Sequence, residues 1–196
     1  MITVSTLKST ARSYHHGDLR SALVAAGLKA LETTAAQDLS LRQLAREVGV
    51  SATAVYRHFP DKDALLSALA QEGISQLADW QQAAAKASAN TDGFAATGRA
   101  YVRWALANPA LFRLLFGQCN TVSEAVFGQN AAANMLRSYA QDLTGNADSA
   151  RRLMIQAWAV VHGVAMLMLD GQLPRDDALI DQVIDPATLF AINSLP

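Results

Sequence analysis

Thiol chemistry is almost absent from this chain, because Cys119 is the single cysteine in 196 residues. That excludes a disulfide framework within the chain and any zinc site built from several cysteines. Glycine (11) and proline (5) are scarce, and runs of β-branched residues are few, whereas alanine fills 38 positions. This balance favours helix over strand. Charged residues make up 17% against 51% apolar ones, which excludes a disordered chain. The opening stretch MITVSTLKSTARSYHH lacks the apolar core of a secretion signal, so a cytoplasmic protein is expected. The length suits one medium or two small domains with a real core.

The short motifs of catalysis are missing as well. There is no glycine-rich phosphate loop, no HExxH, no nucleophile elbow and no pair of carboxylates flanking an aromatic cleft. A lone Cys119 far from His162 makes a poor nucleophile and base, and His15-His16 lacks further ligands at metal-binding spacing. No catalytic residue, metal or cofactor is therefore expected, although an enzyme remains the rival class.

One apolar run stands out, LMIQAWAVVHGVAMLML from Leu153 to Leu169, interrupted only by Gln156, His162 and Gly163. It is marginal in length for a membrane span and has no second span beside it. A helix buried at the centre of an all-helical domain is the expected reading, with no membrane partner.

The net charge of −1 hides a split. Residues 1–62 hold eight basic and five acidic side chains, and residues 63–196 hold eight basic and twelve acidic ones. A modestly basic head on an acidic body suits a polyanion partner, though a solvated surface explains the same numbers.

Helical spacing starts near Gly17-Asp18 and fades at Thr33-Thr34. Ser40 stands at an N-cap position before LRQLAREV, with Gln43 where a capping box needs it and Gly49 as the stop. Ser51 caps SATAVYRHF, Pro60 ends it, and Asp61 caps a long helix from Lys62 towards Ala89. The tail of that helix, from Gln81, is alanine-rich and reads as an exposed end. Further helices are expected near 92–107, 109–117, 121–143, 147–170 and 177–194.

Two short helices joined at Gly49-Val50-Ser51 have the arrangement of a helix-turn-helix spanning about residues 40–59. Leu44, Ala45, Val48, Val50, Val55 and Phe59 would fix the crossing angle. Ser51, Ala52, Thr53, Tyr56, Arg57 and His58 would then face outward, as a helix entering the major groove requires. Spacing alone leaves open a helical hairpin that never meets DNA, such as an adaptor.

The stretch LSLRQLAREVGVSATAVYRHFPDKDALLSAL closely resembles the DNA-binding domain of TetR/AcrR-type transcriptional regulators. The likeness covers roughly residues 17–77 and joins the Gly-Val-Ser turn, the Tyr-Arg-His-Phe end and the Pro-Asp-Lys joint. The resemblance implies an all-α fold: a flexible basic arm (1–16), a DNA-binding domain (17–77) and a helical regulatory and dimerisation domain (78–196). It also implies a homodimeric repressor on an inverted-repeat operator in double-stranded DNA, released by a small-molecule effector. Carried over by position, Arg42 reaches a base or phosphate, Ser51, Ala52, Thr53 and Ala54 lie at the groove-facing start, and Tyr56, His58 and Lys62 meet phosphates. Arg57 is a further phosphate candidate, and the arm with Lys8, Arg12, His15 and His16 a candidate for the minor groove.

In the rest of the chain, Trp158-Ala-Val-Val-His162-Gly163 resembles the Trp…His-Gly signature of one subgroup of TetR-type C-terminal domains. Trp158 and His162 share a helix face, as wall and polar anchor of a cavity or as core with Gly163 permitting close packing. Trp104, Phe112, Phe116, Phe127, Met135, Trp158 and His162 are the candidate effector-pocket residues. Arg103 and Arg113 read as surface ion-pair partners. For the dimer, Leu153, Val160, Val164, Leu167, Leu179, Val183, Ile184, Leu189, Phe190 and Ile192 supply apolar surface.

Overall fold

A computed structural model describes residues 16–88, 93–117 and 128–185, and these contain helices and no strand. The basic arm (1–15), Phe127, and the dimer candidates Leu189, Phe190 and Ile192 lie outside the described residues.

The head is made of α1 (His16–Leu31), α2 (Leu41–Val48) and α3 (Ala52–His58), with a short 3-10 turn at Ala36–Asp38. Leu19, Leu23 and Ala26 of α1 meet Leu44, Ala45, Val55 and Phe59 in one apolar core. Gly49 takes the left-handed backbone (φ 79°) that ends α2, a conformation that costs other residues roughly 1 kcal/mol. The turn is closed by the Val50 N–H donating to the Ala45 carbonyl at 2.9 Å. Ser51 Oγ then accepts from the Ala54 N–H, and Asp61 Oδ1 accepts from the Ala64 N–H at 2.8 Å. Ser40 behaves differently from the expected capping box. Its side chain makes no cap bond, and its carbonyl alone accepts from Gln43 and Leu44.

From the head, α4 (Lys62–Ala87) runs into the body. Its 26 residues span roughly 39 Å at the helical rise. Against it pack α5 (Gly93–Ala107), α6 (Pro109–Gly117) and α7 (Ala131–Thr144), and α8 (Ala147–Leu169) packs on α5 and α7. The last described helix, α9 (Asp177–Val183), is held to α5 by Arg103, whose guanidinium donates to Asp177 and Asp181 at 2.8 and 2.9 Å. Arg113 likewise pairs with Asp170. One continuous core runs from the head through α4 into the body.

The structure differs from four of these expectations. The helix expected over 121–143 starts at Ala131 in its described part, because Asn130 caps it by accepting from the Ala133 N–H at 2.9 Å. The helix expected over 177–194 stops at Val183, since Asp185 precedes Pro186 and a residue before proline is biased away from helix. Nor is α8 buried on all sides. It is the one helix among the described residues long and apolar enough to cross a membrane, yet 28% of its apolar window is buried. Leu153, Val164 and Ile184, expected on a dimer surface, are instead buried within the chain.

Candidate DNA interface and effector cavity

α3 owes its orientation to Val55 and Phe59, four residues apart and almost fully buried. Arg20 of α1 sits over the Phe59 ring at 5.4 Å and fastens the far end of α3 to α1. With that face fixed, Ser51, Thr53, Tyr56 and Arg57 are exposed, and Ala52 and His58 are half-buried. Tyr56 keeps 43% of its surface open, unusual for an aromatic residue with no partner to cover it. Arg42 is exposed on α2. Ala54, expected at the groove-facing start, instead packs against the core, which leaves Thr53 as the polar side chain within that first turn.

Lys62, at the first position of α4, shows a role the sequence did not reveal. Its ammonium donates to the Gln37 carbonyl in the turn between α1 and α2. This ties the start of α4 to the head and leaves two of three ammonium donors for a phosphate. No sequence signal pointed to the Gln37 carbonyl, because the pairing spans 25 residues through the folded head.

At the other end of α4 lies a cavity of about 70 Å³. Ile74, Leu77 and Gln81 of α4 form one side, with Phe94, Thr97, Gly98 and Tyr101 of α5 beside them. Phe116, Met135, Trp158, Val161 and Ile184 complete much of the wall. Of the expected pocket residues, Phe116, Met135 and Trp158 are there. Trp104 and Phe112 are not, being 1% and 0% exposed in the core behind it. Aromatic rings this large are most stably placed where they touch neighbours on every side.

His162 stands behind the wall. It stacks on Trp158 (5.0 Å between centroids, 30° between planes) and lies 4.9 Å from the Phe116 ring. Its Nδ1 is 3.0 Å from the Tyr101 hydroxyl. Burial pushes the Tyr101 phenol far above its ordinary value, with a smaller opposing effect from the nearby Trp158 N–H, so the hydroxyl keeps its proton. Burial also pulls His162 below the ordinary imidazole range. With the phenol protonated and the imidazole neutral, one proton is shared between them, its direction set by the imidazole tautomer.

Two polar atoms in this wall, Trp158 Nε1 and Gln81 Oε1, are buried and find no hydrogen-bond partner among the described residues. The Trp158 N–H lies near the Tyr101 hydroxyl but falls short of hydrogen-bond geometry. An atom left in this way costs roughly 1–3 kcal/mol. Gln81 lay in the stretch read as a bland exposed helix end, and the structure instead half-buries it with its amide at the cavity. Gly98 is required here: a Cβ would come within 2.9 Å of Ile184 Cγ2 and 3.2 Å of Val161 Cγ1. Gly163 has no such neighbour within 4 Å, so it does not serve close packing inside the chain.

A helix-turn-helix head, a long helix leading from it and an apolar cavity on that helix define a class: all-helical proteins with a helix-turn-helix head and a larger helical body. Comparison with known proteins makes the class specific. Residues 23–69 match the model of bacterial regulatory proteins of the tetR family, and residues 94–187 match that of the tetracyclin repressor-like C-terminal domain. The chain belongs to the TetR family. It is 36% identical over 102 residues to an HTH-type transcriptional regulator of Mycobacterium tuberculosis, a match covering 50% of this chain and 44% of that protein. The chain thus spans about half the length of the curated relatives it matches. Among solved structures, a protein of unknown function from Rhodococcus sp. RHA1 is 34% identical with a TM-score of 0.72, covering 92% of this chain and 96% of that one. A tetR-family transcriptional regulator from Streptomyces coelicolor shares the fold at 23% identity, with a TM-score of 0.69 and coverage of 91% and 82%.

Proposed function

We propose that this chain is a cytoplasmic, ligand-responsive transcriptional regulator that binds double-stranded DNA as a homodimer and is released by a small-molecule effector. The observation that carries the reading is α4, which holds Lys62 at the DNA-facing end and Leu77 and Gln81 in the cavity wall. A rigid helix shared by both sites turns a change in the cavity into a movement of the head. Taking a dimer from 99% to 1% competent needs about 5.5 kcal/mol of differential effector binding.

The dimer is supported by an exposed stripe on α8. Ile155, Ala159, Gly163 and Leu167 follow one another at intervals of four and so share a face, with Ile155 44% and Leu167 39% exposed. Small residues at its centre suit close approach of a second helix. The Trp158…His162-Gly163 pattern supports placing the chain in the subgroup of the family that carries it.

Two recognition helices in successive major grooves would lie about 34–36 Å apart. Selection of bound duplexes from a random library tests this. The wild type is expected to enrich an inverted repeat with half-site centres one helical turn apart. Thr53→Ala should change the base preferred near the half-site centre, while Lys62→Ala weakens binding to every sequence alike. Enrichment of a non-palindromic sequence, or the reverse pattern for the two substitutions, contradicts the placement.

A further inference from the structure

The cavity beside α4 has a chemistry of its own, set by two buried atoms without partners. Gln81 Nε2 donates to the Thr97 carbonyl at 3.2 Å, which fixes the orientation of the amide. The other end, Oε1, is thereby left as an unpartnered acceptor. Trp158 Nε1–H, in the wall of the same space, is an unpartnered donor among the described residues. The other polar side chains there are engaged within the protein: the Tyr101 hydroxyl is bonded to His162 Nδ1, and the Thr97 hydroxyl donates to the Phe94 carbonyl at 2.7 Å. No described residue of the lining carries a charge. A carboxylate or ammonium ligand would lose its hydration there without gaining a counter-ion, a cost that burial makes large.

We infer that the effector is an uncharged, largely apolar molecule bearing an amide-type group, whose carbonyl accepts from Trp158 Nε1 and whose N–H donates to Gln81 Oε1. The rest of the molecule lies against Phe94, Phe116 and Val161. The inference rests on the reading of this cavity as the effector site. It explains why the folded chain retains two unsatisfied polar atoms that apolar residues of similar size would remove. At about 70 Å³ the space is under half of the roughly 150 Å³ that holds a benzene ring, so as it stands it admits only a smaller group. A larger effector displaces Leu77 or Ile184, and a displaced Leu77 moves α4.

Four probes built on one benzene ring separate the alternatives: benzamide, benzoate, benzylammonium and toluene. Their binding to the full chain is measured by calorimetry for the wild type, Trp158→Phe and Gln81→Met. Benzamide is expected to bind the wild type at least roughly tenfold more tightly than either ion, and to lose about tenfold in each variant. Toluene should change little between the three proteins. Gln81→Met keeps the test open if Trp158→Phe fails to fold. Absence of benzamide binding, equal binding of benzoate or benzylammonium, or unchanged benzamide affinity in both variants overturns the assignment. DNA release is followed in parallel by fluorescence anisotropy. Benzamide binding with the expected variant dependence but no effect on DNA would overturn the cavity as effector site and leave the ligand chemistry standing. Release of DNA by the charged probes through the cavity would do the opposite.

Discussion

At the scale of the residue, burial decides protonation at His162 and so links stability to pH. The folded imidazole titrates below its unfolded value because the charged form loses water against Trp158, Phe116 and Phe112. The unfolded chain therefore binds the proton more readily. The stability contributed by the neutral ring is complete above about pH 6.5 and is lost as the pH falls through the lower, folded-state value. Urea denaturation at pH 5 and pH 7.5 should show a larger loss on acidification for the wild type than for His162→Gln, which keeps an acceptor for Tyr101. Equal losses in the two proteins would contradict the buried neutral imidazole. The position of His162 beside Trp158 was legible, because residues four apart share a helix face. Its partner Tyr101 was not, since 61 positions separate them and only the crossing of α5 and α8 brings them together. Gln81 was missed for a related reason. An amide among alanines carries no periodic signal, and α5 covers it from elsewhere in the chain.

Among the elements, the head was read most accurately because its signals are local. Gly49, Ser51, Asp61 and the buried pair Val55 and Phe59 act within a turn of where they stand. The apolar run of α8 was legible as a helix but not as one with a bare face, because hydropathy cannot say which sides neighbours cover. That bare face is the element-scale test of the dimer. In Gly163→Leu the new Cβ meets nothing within 4 Å in its own chain, and glycine is replaced by a better helix former worth about 1 kcal/mol. The monomer fold should survive with unchanged or higher thermal stability. Two α8 stripes, however, could no longer close on each other. Sedimentation velocity should report a dimer for the wild type and a monomer for the variant. A variant that remains fully dimeric would place the interface elsewhere.

Taken whole, the molecule joins its helix-turn-helix head to an apolar cavity through a single helix. The sequence's charge split pointed to the head, and the resemblance named its use. The aromatic residues of the body were harder to sort. Trp104 and Phe112 are core while Phe116 and Trp158 reach the cavity, a division made by helix crossings rather than residue type. The regulatory role proposed for the cavity presupposes that the head grips DNA through α3 and the start of α4. The direct measurement is a titration of the protein against the DNA flanking its own gene, at about 50 and 200 mM salt, beside a Tyr56→Ala/Lys62→Ala variant. Tight wild-type binding that falls at least roughly 100-fold with the added salt, and is lost in the variant, is the predicted result. Binding of equal strength and equal salt dependence in the two proteins would contradict the account.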